Sequence, residues 1–196
     1  MLFVSGAPLK YIFGIVGIAI VALVILVSFK PYLKDRVNTF LNPGENSSTT
    51  SYQLQQSLIA VGSGGFFGRG LGQSIQKFNY LPEPQGDSIF AVLGEEMGFF
   101  GCAIVICLYI AFLLRGYRIA LRNAPDSFAK LLVIGFVTII TAQSFMNIAS
   151  IIGVFPLTGV PLVFISQGGT ALLLSLGMMG IILNISKFKG KATVER

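Results

Sequence analysis

Apolar residues in this chain are gathered into four long blocks separated by polar stretches, instead of forming the one-sided stripes of a soluble helix or the alternation of a strand. The blocks run from Tyr11 to Phe29, Ser88 to Leu114, Leu131 to Ile152 and Gly169 to Ile185. Each is near the roughly 20 residues an α-helix needs to cross a bilayer. The fourth is the shortest and reaches that length only if Leu162–Ile165 also enters the membrane. Lys10 and Lys30 bracket the first block and Pro31 closes it. It is too long for a signal-peptide core and no small-residue cleavage motif follows, so it reads as a spanning helix. The pattern predicts an all-α polytopic integral membrane bundle over residues 1–196, with four spans and one long loop over residues 30–86.

That loop is rich in Gly, Ser, Asn and Gln. Within it, Ser51–Val61 places Leu54, Leu58 and Val61 at i, i+4 and i+7, which predicts a short amphipathic helix lying in the membrane interface. Gly62, Gly64, Gly65, Gly68, Gly70 and Gly72 follow. A phosphate-cradling loop needs a strand before it and a helix after it; this context lacks them, so the run reads as an irregular interfacial loop.

Composition narrows the chemistry. Of 196 residues, 54% are hydrophobic and only 11% charged, which leaves little room for a soluble catalytic domain. With no histidine there is no imidazole base, no Ser-His-Asp relay and no His metal ligand, so acid–base work falls to a carboxylate. Cys102 and Cys107 lie inside an apolar run at a spacing that puts them on different helix faces, which excludes a disulfide framework and a cysteine metal site. The net charge of +6 does not point to nucleic acid, because the basic residues flank apolar blocks instead of forming one stripe.

Lysine and arginine density sets the orientation. Arg115, Arg118, Arg122 and Lys130 crowd the link between the second and third blocks, and Lys187, Lys189, Lys191 and Arg196 crowd the tail. Both segments are expected on the cytoplasmic side. Four crossings then put both termini inside, and the 30–86 loop and the Gly153–Ser166 link outside. The loop's own Lys30, Lys34, Arg36, Arg69 and Lys77 are diluted over many more residues.

Position sorts the eight acids. Asp126 and Glu195 are cytoplasmic on this topology, and Asp35 and Glu45 sit in the exposed part of the loop. Glu83, Asp87, Glu95 and Glu96 fall at the outer mouth or first turns of the second block, where a carboxylate is costly and marks a functional site by default. In YLPEPQGDSIFAVLGEEMGFFG, from Tyr80, two prolines stiffen the approach and Asp87 is the last polar acid before the helix. Asp87 thus reads either as an N-cap or as a functional acid. Glu95 and Glu96 are adjacent, so at most one points squarely into the bundle; pairing with Arg69 or Lys77 is the structural alternative.

The third block carries Gln143, Asn147 and Ser150 at i, i+4 and i+7 on one face. Interhelical hydrogen bonding is the commoner role for such a stripe, and a substrate-lined groove the sharper one. Ser166-Gln167-Gly168-Gly169 opens the fourth block, either as an anion-binding helix start or as an ordinary flexible one.

The segments GSGGFFGRGLGQSIQKFNYLPEPQGDSIFAVLGEEMGFFG (62–101), QSFMNIASIIGVFPLTGVPLVFISQGGT (143–170) and the amphipathic YQLQQSLIA resemble the SEDS family, the FtsW/RodA/SpoVE proteins of bacterial growth and division. The stretch around Lys77 and Tyr80–Glu83 is closer to FtsW than to RodA, while Gly159–Leu162 leans slightly the other way. The resemblance implies a multi-pass peptidoglycan glycosyltransferase of the bacterial cytoplasmic membrane, joining lipid II units into glycan strands on its outer face. It implies that Asp87 is the catalytic aspartate, which favours the functional role over the cap. Lys77, Glu83, Ser166, Gly168 and Gly169 also fall on motif positions. The expected substrate-binding set is Lys77, Glu83, Arg69, Gln143, Asn147, Ser166, Gly168 and Gly169, with Lys77 the chosen cation for the lipid diphosphate and Arg69 added on charge alone.

No protein metal site is expected and the cofactor is unknown; a divalent ion held by Asp87 or Glu83 is the open alternative. The implied partners are lipid II, the growing glycan strand, a single-pass class B penicillin-binding transpeptidase and other division proteins. Two other functions stay open: a lipid II transporter lined by the Gln143, Asn147, Ser150 stripe, and a noncatalytic scaffold. Gln167 stands where the family usually has Tyr, and Val163 where Pro is usual. Family members have about twice as many spans of this length, and this chain matches their C-terminal four. On that expectation Met1 is an internal methionine of a truncated or split gene.

Overall fold

The structure is a computed structural model and describes residues 8–42, 49–124 and 126–188. Its described residues form seven helices and no strand: α1 (Leu9–Phe29), α2 (Pro31–Leu41), α3 (Thr49–Ser63), α4 (Gln76–Asn79), α5 (Ile89–Arg122), α6 (Ser127–Ile151) and α7 (Gly169–Ser186). Of these, α1, α5, α6 and α7 are long and apolar enough to cross a membrane. The chain is an all-helical, multi-pass membrane bundle. Glu45, Lys189, Lys191, Glu195 and Arg196, used above to sort charge, lie outside the described residues.

Two helical segments exceed what hydropathy marks. Pro31, which closes the first apolar block, is the first residue of α2, where its missing N–H costs nothing. Helix α5 continues two turns past Leu114 to Arg122, because Arg, Tyr, Ile, Ala and Leu all sustain a helix after hydrophobicity stops. Asp126 then caps α6, its Oδ1 accepting from the N–H of Ala129 at 2.7 Å.

The centre of the bundle is the α5–α6 seam. Val133 and Val137 are completely buried there, and a Cβ on Gly116 would stand 2.4 Å from Val137, so the glycine sets how closely the helices approach. Tyr117 and Thr138 share a hydrogen bond across the seam, and the Tyr109 hydroxyl donates to the carbonyl of Val163. Leu162 and Val163 are buried within the bundle. By contrast, α1 buries none of its residues.

The amphipathic helix differs from expectation. Its buried face is Ser51, Leu54, Ser57 and Ala60, while Leu58 is exposed. The helix packs on α5 through small residues, which allow close approach, and does not merely float its leucines in lipid.

That close approach serves a break in α5. Gly98 has φ 66° and ψ −163°, a conformation only glycine adopts readily, and it interrupts the helical ladder. The carbonyls of Glu95 and Glu96 lose their helical donors and accept instead from the N–H groups of Arg69 (2.9 Å) and Gly70 (3.0 Å). The displaced N–H groups of Phe99 and Phe100 donate to the carbonyls of Gly65 (2.9 Å) and Phe66 (3.2 Å). The four backbone groups of two broken helix hydrogen bonds are thus satisfied by the glycine-rich segment, as irregular backbone at membrane depth requires. A Cβ on Gly68 would sit 2.1 Å from the Glu96 carbonyl oxygen, so the segment can approach only with glycine there.

Candidate functional site

Asp87 stands one residue before the cap of α5. The cap is Ser88, and no side chain caps the helix, so the N-cap role considered for Asp87 is not the one it takes. The half-buried carboxylate accepts through Oδ1 from Gln53 Nε2 on α3 (3.1 Å). The hydroxyl of Ser88 lies 3.3 Å from the same oxygen and 3.2 Å from the carbonyl of Pro82, and it accepts from Gln53 Nε2 at 3.1 Å. Among the described residues, Oδ2 has no hydrogen-bond donor.

The main chain is held as firmly. Asn147 Nδ2, on α6, donates to the carbonyl of Asp87 and to that of Val160, both at 2.7 Å. Asn147 is only 1% exposed, so of the two roles the stripe offers it takes the hydrogen-bonding one, as a positioning residue, and not that of a groove-lining ligand. Ser150 bonds within its own helix, and Gln143 Nε2 makes a long contact, 3.4 Å, to the carbonyl of Pro161. Replacing Asn147 with Leu leaves two buried carbonyls without a donor and is expected to cost about 2–3 kcal/mol. Thermal unfolding of the purified protein checks this as a drop in Tm.

The start of α7 joins the same cluster. Gln167 donates its N–H to the carbonyl of Gln85 at 2.8 Å, and Ser166 Oγ accepts from the N–H of Leu162 at 2.7 Å. Gly168 occupies the cap position and Gly169 opens the helix. The helix start is thereby fastened to the segment that carries Asp87. Glu83 is exposed on a tight turn, its carbonyl accepting from the N–H of Gly86 at 2.9 Å and its own φ at 45°.

Both acids of α5 are engaged, and, as expected, only one of them turns squarely inward: Glu95 is buried, while Glu96 is half-buried. Glu95 is completely buried and accepts from Ser74 Oγ (2.5 Å) and the N–H groups of Ile75 (3.0 Å) and Gln76 (3.2 Å). Arg69 Nη1 stands 3.6 Å away with its side chain 39% exposed. Glu96 pairs with Lys77 at 2.6 Å. The ion pairs foreseen as the structural alternative are therefore both made. Lys77 still faces an open concavity of about 370 Å³, which it lines with Pro84, Gln85 and Glu96. No three acids or cysteines gather as a metal-ligand set among the described residues.

Gln53 and Ser88 carry no mark of a site role in the sequence, and Glu95 is marked only as one of the four acids at the mouth of the second block. Gln53 was visible only as a polar position on the amphipathic helix. Ser57, buried one turn further on, is the sign that this helix face meets protein.

Comparison with known proteins matches this site's chain to the family model of FtsW, RodA and SpoVE, described as cell cycle protein, over residues 1–191. Stage V sporulation protein E of Bacillus subtilis (strain 168) is 44% identical over 190 residues, covering 96% of this chain and 51% of that protein. The probable peptidoglycan glycosyltransferase FtsW of Geobacter sp. (strain M18) is 39% identical over 193 residues, covering 98% and 52%. A solved chain, from work on the structural coordination of polymerization and crosslinking by a peptidoglycan synthase complex, superposes with a TM-score of 0.71 at 26% identity. It is covered to 51% of its length, and this chain to 94%. The chain spans about half the length of the curated relatives it matches.

Proposed function

The chain belongs to the FtsW/RodA/SpoVE family, and from that premise we propose that it carries the polymerising site of a peptidoglycan glycosyltransferase, with Asp87 as general base. The observation that carries this reading is the mounting of Asp87: main chain fixed by Asn147, one carboxylate oxygen fixed by Gln53, the other without a donor among the described residues. A base so held is pre-oriented toward a hydroxyl.

Oδ2 accepts the proton of an acceptor sugar hydroxyl as its oxygen attacks the anomeric carbon of a lipid-linked donor. The bond from that carbon to the diphosphate oxygen breaks, and the electron pair leaves with the lipid diphosphate. The leaving group is already a weak base, so no second carboxylate is needed to protonate it, unlike the departing sugar of a glycosidase. Its growing charge needs cations and dipoles. Lys77 supplies one at the concavity beside Gln85, Arg69 is a further candidate, and the N-terminus of α7 at Gly168 and Gly169 adds its dipole. Ser166 holds that start in shape. Glu83 lies at the rim and Gln143 toward the Pro161 link. The substrate is lipid II and the product a glycan strand, at the outer face of the bacterial cytoplasmic membrane with both termini inside. A divalent ion at Asp87 or Glu83 would serve the same diphosphate. The neighbour's synthase complex supports a single-pass class B penicillin-binding transpeptidase as partner within the division machinery.

The test is the full-length protein in proteoliposomes supplied with lipid II, with glycan polymer and lipid II translocation read separately. Polymer formation is expected. Translocation without polymer makes the protein a transporter, and neither activity with partner binding intact makes it a scaffold.

A further inference from the structure

At the end of α5 opposite Asp87, Arg115, Arg118 and Arg122 recur at i, i+3 and i+7 and so share one stripe of the helix. All three are exposed, and among the described residues no acid stands within ion-pair distance of any of them. Asp126, the acid closest in the chain, is committed to the cap of α6. The stripe borders a cavity of about 530 Å³ between α5 and α7, whose floor is apolar: Phe112, Met179 and Leu183. Asn123 closes one end by donating Nδ2 to the carbonyls of Ser186 (3.1 Å) and Phe188 (3.0 Å).

Depth along the bilayer follows from the sequence. The 18 residues from Met97 to Leu114 carry no charge. At 1.5 Å per residue such a run spans about 27 Å, close to the roughly 30 Å of a hydrocarbon core. Arg115 therefore marks the beginning of the headgroup layer, and the cavity spans the boundary, arginines outward and apolar floor inward. A topological signal needs only positive charge beyond the helix end. It needs no cavity, and no apolar floor beneath guanidinium groups.

We propose that this cavity is a binding site for an anionic glycerophospholipid of the leaflet opposite the Asp87 end. The phosphate accepts paired N–H bonds from the planar guanidinium groups, which suit it better than ammonium groups do. The upper acyl carbons lie on Phe112, Met179 and Leu183. Charge complementarity selects the anionic class, and the apolar floor selects a lipid over a free anion.

Native mass spectrometry of the full-length protein, titrated with phosphatidylglycerol, phosphatidylcholine or inorganic phosphate, tests this. Phosphatidylglycerol is expected to bind more tightly than phosphatidylcholine by about fivefold for each arginine engaged. Arg118→Gln is expected to remove about fivefold of that preference, Arg118→Lys less, and the triple Gln variant nearly all of it. The single variants keep the neighbouring charges that hold topology, so the result does not depend on the triple variant folding. Equal affinity for the two lipids, or a preference that Arg118→Gln leaves unchanged, overturns the proposal. Phosphate binding as tight as the lipid, and lost in the same variants, overturns the lipid assignment in favour of a plain anion site.

Discussion

Asp87→Asn is expected to lower lipid II polymerisation by at least about 100-fold, within the range general bases contribute. The substitution is close to isosteric, and an Asn oxygen still accepts from Gln53, so the bond to α3 survives. The main-chain bond from Asn147 is untouched. What disappears is the capacity to take a proton. Asp87→Glu keeps that capacity but advances the carboxylate by one methylene while the backbone stays pinned. A misplacement near 1 Å costs about 100-fold where reacting atoms must be aligned, so Glu is expected to rescue little. Polymer yield on gels, with equal protein in the membrane, separates these outcomes. A cap role for Asp87 predicts the opposite: loss of stability with modest loss of rate.

Gly98→Ala is expected to destabilise the protein by about 3 kcal/mol or more, combining a strained backbone with the loss of inter-segment hydrogen bonds. The added methyl would stand 2.4 Å from the N of Gly68 and 2.7 Å from the carbonyl of Phe66. Those are backbone atoms that cannot swing away. If α5 instead straightened, the Arg69 and Gly70 N–H groups would lose the carbonyls they bind. For a chain of this size the loss corresponds to a Tm lower by about 6–12 °C. Gly68→Ala is expected to behave alike, and the double variant to cost less than the sum, because both break one junction. Gly177→Ala is the control: nothing lies within 4 Å of the added methyl, and the helix should tolerate it.

The spanning helices were legible because an apolar run of sufficient length has few other solutions in this composition. The overshoot of α5 to Arg122 was not, since hydropathy reports lipid contact and the extra turns are helical but wet. The break at Gly98 was hidden for a different reason. Glycine is common inside membrane helices, and only the facing run from Gly62 to Gly72 hints that two backbones must meet. An irregular loop describes that run locally and is silent about its partner.

The site was half legible. Physical reasoning on the sequence could bring Asp87 to a helix mouth but could not choose between cap and base; family resemblance favoured the base, and the Ser88 cap removes the rival. The helical spacing with Gln143 and Ser150 marks Asn147 and offers both interhelical hydrogen bonding and a substrate groove, but a polar stripe does not say whether it faces a ligand or another main chain. The pairing of Lys77 with Glu96 was among the ion pairs the charges offered, but its place on the concavity beside Gln85 depends on a chain reversal that no local pattern encodes.

The most direct measurement puts lipid II binding and polymerisation side by side for the wild-type full-length protein and Asp87→Asn. The account predicts binding within about threefold of wild type and polymerisation reduced at least about 100-fold, the signature of an interaction made only in the transition state. Undiminished polymerisation, or binding and polymerisation falling together, would contradict it.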